Sequence, residues 1–266
     1  MLRISANLGF LWKGLPLLDA VRRAKRAGFD AVEFHAPYEV PVDEMKAVLE
    51  ETALPVAGIN TRPGNVAAGE IGVAAIPGRE SEARAAIDEA LAYAQAIEAA
   101  YVQVTGGKVA DEQRGQARKT YLSALDHASG GAEKLGITIV IEALNPYDVP
   151  GNFLNSLEQT AGIIGELGRP NVKHLFDCYH VQIIAGDLTR RLERLMPTIG
   201  HIQIAAVPSR AEPDEGEISY ERLLPTIEKL GYRGYIGAEY RARGEVEAGL
   251  GWLRAARPAT GSTVGR

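Results

Sequence analysis

Four polar residues close four successive apolar runs in the second half of the chain: TIVI ends in Glu142, HLF ends in Asp177, HIQI carries Gln203, and YIGA ends in Glu239. They lie 35, 26 and 36 residues apart, and each interval fits one strand, one helix and their connections. Residues at matching places on consecutive strands of a closed barrel converge on its axis. Three carboxylates brought that close repel one another, and some must take up protons unless a cation neutralises them. A divalent metal ion is the simplest solution. Carboxylate and amide oxygens suit Mg²⁺ or Mn²⁺, whereas zinc favours His or Cys, and neither dominates here. Any one of these acids could instead cap a helix or pair with a lysine. The repeated placement on successive strands is what points to a shared ligand.

Other residues carry weaker signals. His180 stands three positions beyond Asp177 in DCYH and could hydrogen-bond a substrate oxygen or support the metal ligands. Arg210, in the segment VPSRAEP, could hold a carboxylate in bidentate fashion. His201 precedes Gln203 by two residues, so strand alternation puts both on one side with His201 deeper, as a buried and hydrogen-bonded histidine. Glu33 and His35 end the second run, where Glu33 would touch substrate or orient a neighbour. Cys178 points by alternation toward the helices, away from any nucleophilic role.

The elements that must position these groups are legible along the whole chain. Eight short apolar or alternating runs begin at Arg3, Ala31, Val56, Tyr101, Thr138, Val172, His201 and Tyr235. Between them, stretches such as LLDAVRRAKRAG and EARAAIDEALAYAQAIEA return apolar residues at three- and four-residue steps, the mark of one buried helical face. Gly28, Gly136 and Gly231 punctuate helix ends. Strand and helix in strict alternation, eight times in roughly 250 residues, predicts an α/β fold of the (β/α)8 TIM barrel type, in a single domain over residues 1–257 with a flexible tail at 258–266. An open doubly wound sheet is disfavoured because GFLWKGLP, after the first run, lacks a Gly-rich phosphate-binding turn. Long connections follow the third and seventh runs, on the face where such barrels build active sites.

Composition narrows the function classes. The 266 residues are 46% hydrophobic with a formal charge of −5, which excludes a disordered chain and argues against broad nucleic-acid binding. The single cysteine forms no internal disulfide and suits a reducing cytoplasm. No segment is apolar for long enough to read as a membrane span, and the first residues read as a strand, not a secretory signal.

The segments VEFHAPYEV, NTRPGNVAAGEIGVAAIPGRE, IEALNPYDVPGNFL, DCYHVQIIAGDL, GHIQIAAVPSRAEPDEGEISY and GAEY together resemble the hydroxypyruvate isomerase family, within the xylose-isomerase-like barrel superfamily. The resemblance runs from the first strand to about Arg257. It implies a divalent metal held by Glu142, Asp177, Gln203 and Glu239, with Glu142 and Glu239 also the catalytic proton-transfer pair and His180 and Arg210 binding the substrate. The implied partner is a small hydroxy-oxo acid, with no nucleic acid or membrane, and self-association through the outer helices is left open. The implied reaction interconverts hydroxypyruvate and tartronate semialdehyde. A 2-oxo-tetronate isomerase or a ketose 3-epimerase is the near alternative, and an apurinic-site nuclease or a noncatalytic ligand-binding barrel the distant ones. Ala206 and Val207, where relatives often carry an acid or Asn, and His35 depart from the pattern and bear on the outer substrate contacts.

Overall fold

Eight parallel strands close in sequence order into a barrel, β1 pairing with both β2 and β8. In this computed structural model, which describes residues 2–256, the strands are β1 (Arg3–Asn7), β2 (Ala31–Phe34), β3 (Val56–Asn60), β4 (Tyr101–Gln103), β5 (Thr138–Glu142), β6 (Val172–Asp177), β7 (Ile199–Ile204) and β8 (Tyr235–Ala238). Each coincides with a run read from the sequence. The tail expected at 258–266 lies outside the described residues. The connecting helices are α1 (Leu17–Ala27), α2 (Val42–Thr52), α3 (Glu80–Ala96), α4 (Arg114–Glu133), α5 (Leu157–Leu167), α6 (Cys178–Ile184), α7 (Leu188–Leu195), α8 (Tyr220–Lys229) and α9 (Gly251–Ala255).

The helices bury one stripe each, as their periodicity demands. Along α4 the buried positions are Ala117, Thr120, Tyr121, Ala124, Leu125, Ala128, Ser129 and Ala132, mostly small residues that let the helix lie close to the sheet. Tyr121 fills the remaining depth, and its hydroxyl donates to the Val104 carbonyl at 2.7 Å, which satisfies the one polar atom it carries inward. Truncating a fully buried residue such as Leu125 to Ala would cost about 2–5 kcal/mol. Gly28 caps α1 in the left-handed conformation, with φ of 88°.

Inside the barrel, the strands stack side chains in layers. The middle layer is partly apolar, with Tyr101, Val140 and Leu175 packed together. Gly58 makes room for the Tyr101 ring, which a Cβ on β3 would strike. The ladder places Glu142 beside Leu175, Asp177 beside Gln203, and Gln203 beside Gly237. Glu142 and Asp177 are therefore offset by two residues, and so are Gln203 and Glu239. Tilted strands in a closed barrel require such a stagger, and it returns the four residues to one height along the axis.

Candidate active site

The mouth of the barrel is ringed by the strand-end residues. Glu142 and Asp177 close β5 and β6, Gln203 sits near the end of β7, and Glu239 follows β8, its backbone N–H still bonded to the Ile204 carbonyl. All four are buried. Asp177 divides its two oxygens between tasks. Oδ1 accepts from the Tyr179 backbone N–H at 2.9 Å and caps α6, so the helix starts at once after the strand. Oδ2 is left facing the cluster. One turn into α6, His180 brings Nε2 to 3.7 Å from Asp177 Oδ2 and 4.0 Å from Glu142 Oε1.

Three buried oxygens in the cluster accept no hydrogen bond: Glu142 Oε1, Asp177 Oδ2 and Gln203 Oε1, one from each of three neighbouring strands. A buried acceptor without a partner costs about 1–3 kcal/mol, more for a charged group. Three such oxygens on adjacent strands, with Glu142 and Asp177 close enough to share an ion and Gln203 beside Asp177 in the ladder, suit a hard, oxygen-seeking cation. The charge agrees. Glu142, Asp177 and Glu239 face one guanidinium, Arg210, and the two negative charges left over equal those of a divalent ion. Burial, then Glu239 and Asp177, push the Glu142 carboxyl well above its usual range. Burial and Glu239 raise Asp177 to about 7, against the pull of Arg210. Glu239 goes the other way. Burial opposes its charge, but Arg210 and His35 outweigh that and hold it at about 2.

Glu239 is the best-served acid of the group. Arg210 Nη2 donates to Oε2 at 2.7 Å, while His35 Nε2 and Asn7 Nδ2 stand at 2.9 and 3.1 Å from Oε1. Arg210 lies between the rings of Phe10 and Tyr179, 4.5 and 4.9 Å from their centroids, and reaches Asp148 at 3.4 Å. Its backbone sits at φ of +54°, an uncommon conformation for a side-chain-bearing residue, and it is fixed by bonds to Ala206 and Arg241. The guanidinium is thus built into the site, with its fork engaged by Glu239 and Asp148.

His180 lies close enough to Glu142 and Asp177 to complete a three-residue metal cluster, yet its tautomer argues otherwise. Nδ1 faces two donors, the Asn145 backbone N–H at 3.1 Å and the Asn145 side-chain Nδ2 at 2.8 Å. The amide cannot be turned round, because Asn145 Oδ1 accepts from the backbone N–H groups of Tyr147 and Asp148. Nδ1 is therefore an acceptor, and the neutral ring carries its proton on Nε2. Burial and the neighbouring Arg210 lower its pKa to about 3, which keeps it neutral. An Nε2–H group donates to an oxygen and has no lone pair for a metal.

The structure gathers at the barrel mouth the six residues assigned to the site from the sequence, Glu142, Asp177, His180, Gln203, Arg210 and Glu239, with His35 against Glu239. Sequence reading missed Asn7 and Gln103, whose Nε2 donates to Glu142 Oε2 at 2.7 Å, although both are strand-end polar residues of the kind noticed on β5 to β8. It also missed Asn145 and Asp148, in a loop with no pattern to mark them. Glu33 proves to be an internal partner of His201 at 3.0 Å, and Cys178 is buried, as alternation suggested.

The sequence profile of the xylose isomerase-like TIM barrel family matches residues 21–256. The chain belongs to that family. It is 45% identical over 255 residues to a 2-oxo-tetronate isomerase from Cupriavidus necator, covering 96% of this chain and 98% of that protein. It is 38% identical to the hydroxypyruvate isomerase of Escherichia coli, covering 95% and 98%. Among solved structures, a Brucella melitensis protein described as an AP endonuclease of family 2 superposes with a TM-score of 0.94 at 39% identity, over 97% of this chain and all of that one. These full-length likenesses bear out the closed barrel and the resemblance to hydroxypyruvate isomerases. They place the chain in an enzymatic family that includes relatives named 2-oxo-tetronate isomerase and hydroxypyruvate isomerase.

Proposed function

We propose that the protein is a metal-assisted isomerase that interconverts hydroxypyruvate and tartronate semialdehyde. The observation that carries this reading is the trio of buried, unpartnered oxygens on Glu142, Asp177 and Gln203, beside a pair of glutamates held in contrasting environments. A divalent cation, Mg²⁺ or Mn²⁺, held by Glu142, Asp177, Gln203 and Glu239 would supply the positive charge that stabilises an enediolate. Glu142, at the end of β5, and Glu239, just after β8, flank the reacting carbons. One removes the proton from C3 of hydroxypyruvate, and reprotonation at C2 with transfer of the hydroxyl proton completes the exchange. His180 donates its Nε2–H to a substrate oxygen. Arg210, freed in part from Glu239, takes the substrate carboxylate, which leaves Glu239 more basic at the moment it is needed. Phe10 and Tyr179 hold the guanidinium in place and help exclude water.

A second reading, 2-oxo-tetronate as the substrate, is favoured by the 45% identity to the Cupriavidus necator isomerase. It uses the same residues, with one more hydroxymethyl carbon in the pocket. A nuclease reading has less support. Asp177 and His180 are each 1% exposed, too enclosed to meet a duplex backbone, and the chain is net acidic. No helix among the described residues is long and apolar enough to cross a membrane, and the free Cys178 accords with work in the cytoplasm. Hydroxypyruvate, 2-oxo-tetronate and neutral ketoses should be assayed side by side with Mg²⁺ or Mn²⁺, following product by proton NMR. Turnover of one of the two acids with little of the ketoses is expected. Preference for a neutral ketose would overturn the assignment.

A further inference from the structure

Beneath the metal-ligand ring lies a second polar node that the proposed chemistry does not use. Glu33, on β2, is 1% exposed. Its Oε1 accepts from Ser5 Oγ at 3.1 Å. Its Oε2 accepts from the Tyr101 hydroxyl at 2.6 Å, from His201 Nε2 at 3.0 Å and from Gln203 Nε2 at 3.1 Å. Donors from β1, β4 and β7 thus meet on one carboxylate. Gly237 on β8 leaves the space, since a Cβ there would collide with Glu33 and crowd Gln203 and His201.

The bond to Gln203 has a consequence one layer higher. An amide is two-faced: one end donates and the other accepts. Glu33 offers only lone pairs to this amide, so Nε2 turns down toward it and Oε1 turns away, where it is buried without a donor. The reverse orientation would set an amide oxygen against the carboxylate below and present N–H groups where a cation is to be bound. The glutamine acts as an oxygen ligand only while something beneath it holds its nitrogen.

We propose that Glu33 is a positioning residue that locks the Gln203 amide with its oxygen toward the metal-ligand ring, and thereby sets the affinity of the site for a divalent cation. The inference rests on the metal-centre reading above. Outer partners of metal ligands typically change affinity by about 10- to 100-fold when removed. Glu33→Gln can donate as well as accept, so it lets the amide turn.

The test is an equilibrium titration with Mn²⁺ alone, reading free Mn²⁺ by electron paramagnetic resonance, on the wild type, Glu33→Gln, and the exchange variant Glu33→Gln/Gln203→Glu. The exchange variant restores a donor below and a carboxylate oxygen above at unchanged net charge. Glu33→Gln is expected to bind Mn²⁺ about 10- to 100-fold more weakly, and the exchange variant to recover most of that loss. A residue that merely stabilised the barrel would lower the melting temperature without this pattern of loss and recovery. Wild-type affinity in Glu33→Gln, or an exchange variant that fails to fold or folds without recovering Mn²⁺ binding, overturns the proposal. A wild type that binds no Mn²⁺ removes the metal-centre reading itself, so the two failures are distinguishable.

Discussion

Glu33 and Glu142 are both buried inside the barrel, one layer apart, and their surroundings are opposite. Glu33 accepts four hydrogen bonds, from Ser5, Tyr101, His201 and Gln203. Glu142 accepts one, from Gln103, and its other oxygen has no partner while Glu239 and Asp177 crowd it. The lower layer is satisfied by the protein alone. The upper layer is left short of donors and positive charge, which is the condition of a site built to bind something. A buried polar network stabilises a fold only when its members are paired, so the two layers should respond to mutation with opposite signs.

The largest difference is expected in turnover. Glu142→Gln and Glu239→Gln keep nearly the same shape but remove the two groups proposed to move the proton, and each should lower kcat by about 10²- to 10⁴-fold. Steady-state rates on the preferred acid check this. A loss below tenfold in both would remove the pair from the chemistry.

Stability should then separate the layers directly. In chelator-treated protein, Glu142→Gln relieves a crowded, poorly solvated carboxylate and is expected to raise the stability. Tyr101→Phe takes a donor from Glu33 and should lower it by about 1–3 kcal/mol. Urea unfolding of both variants measures the contrast. A shift of the same sign in both would break the comparison.

A subtler change concerns which metal the upper layer prefers. Asn145→Asp sets a carboxylate oxygen against His180 Nδ1, favours the proton on Nδ1, and so exposes a lone pair at Nε2. Zn²⁺ should then compete with Mn²⁺ at least about tenfold better than in the wild type, as expected when an outer partner is changed. Competition binding followed by the Mn²⁺ resonance gives the answer, and an unchanged ratio would contradict the tautomer assignment.

The smallest effect belongs to a satisfied group outside the barrel wall. His174 Nδ1 lies 3.2 Å from the Thr160 hydroxyl, and burial lowers its pKa from 6.5 to about 4. Above pH 6.5 it is neutral in the folded and unfolded chains alike and contributes no pH dependence. As the pH falls from 6.5 toward 4, the unfolded chain takes up a proton that the folded chain refuses, and stability drops. The loss at pH 5.5 should be about 1 kcal/mol. His174→Gln should remove that part of the slope in urea titrations at pH 7 and 5.5.

The legibility of the sequence follows the same division. Strands and helices could be read because burial imposes a period on each, and the strand-end acids stood out as polar residues closing apolar runs. Asn7 and Gln103 carry the same signal on β1 and β4, but in short runs that other polar residues, Ser5 and Thr105, also interrupt. Asn145 was hidden because its role depends on a loop folding back onto α6, which no local period records. For Glu33 the sequence allowed a role in orienting a neighbour but not which one, since its partners come from three other strands and only barrel closure brings them together. The two-residue stagger that levels Glu142, Asp177, Gln203 and Glu239 likewise belongs to the closed sheet, not to any one strand.

The most direct test is to load chelator-treated wild type with graded Mn²⁺ and to measure bound metal and turnover of the preferred acid in the same samples, with Asp177→Asn alongside. The account predicts one tight Mn²⁺ per chain, turnover rising in proportion to its occupancy, and the loss of both in Asp177→Asn. Full turnover by metal-stripped protein, or tight Mn²⁺ binding unaffected by Asp177→Asn, would contradict it.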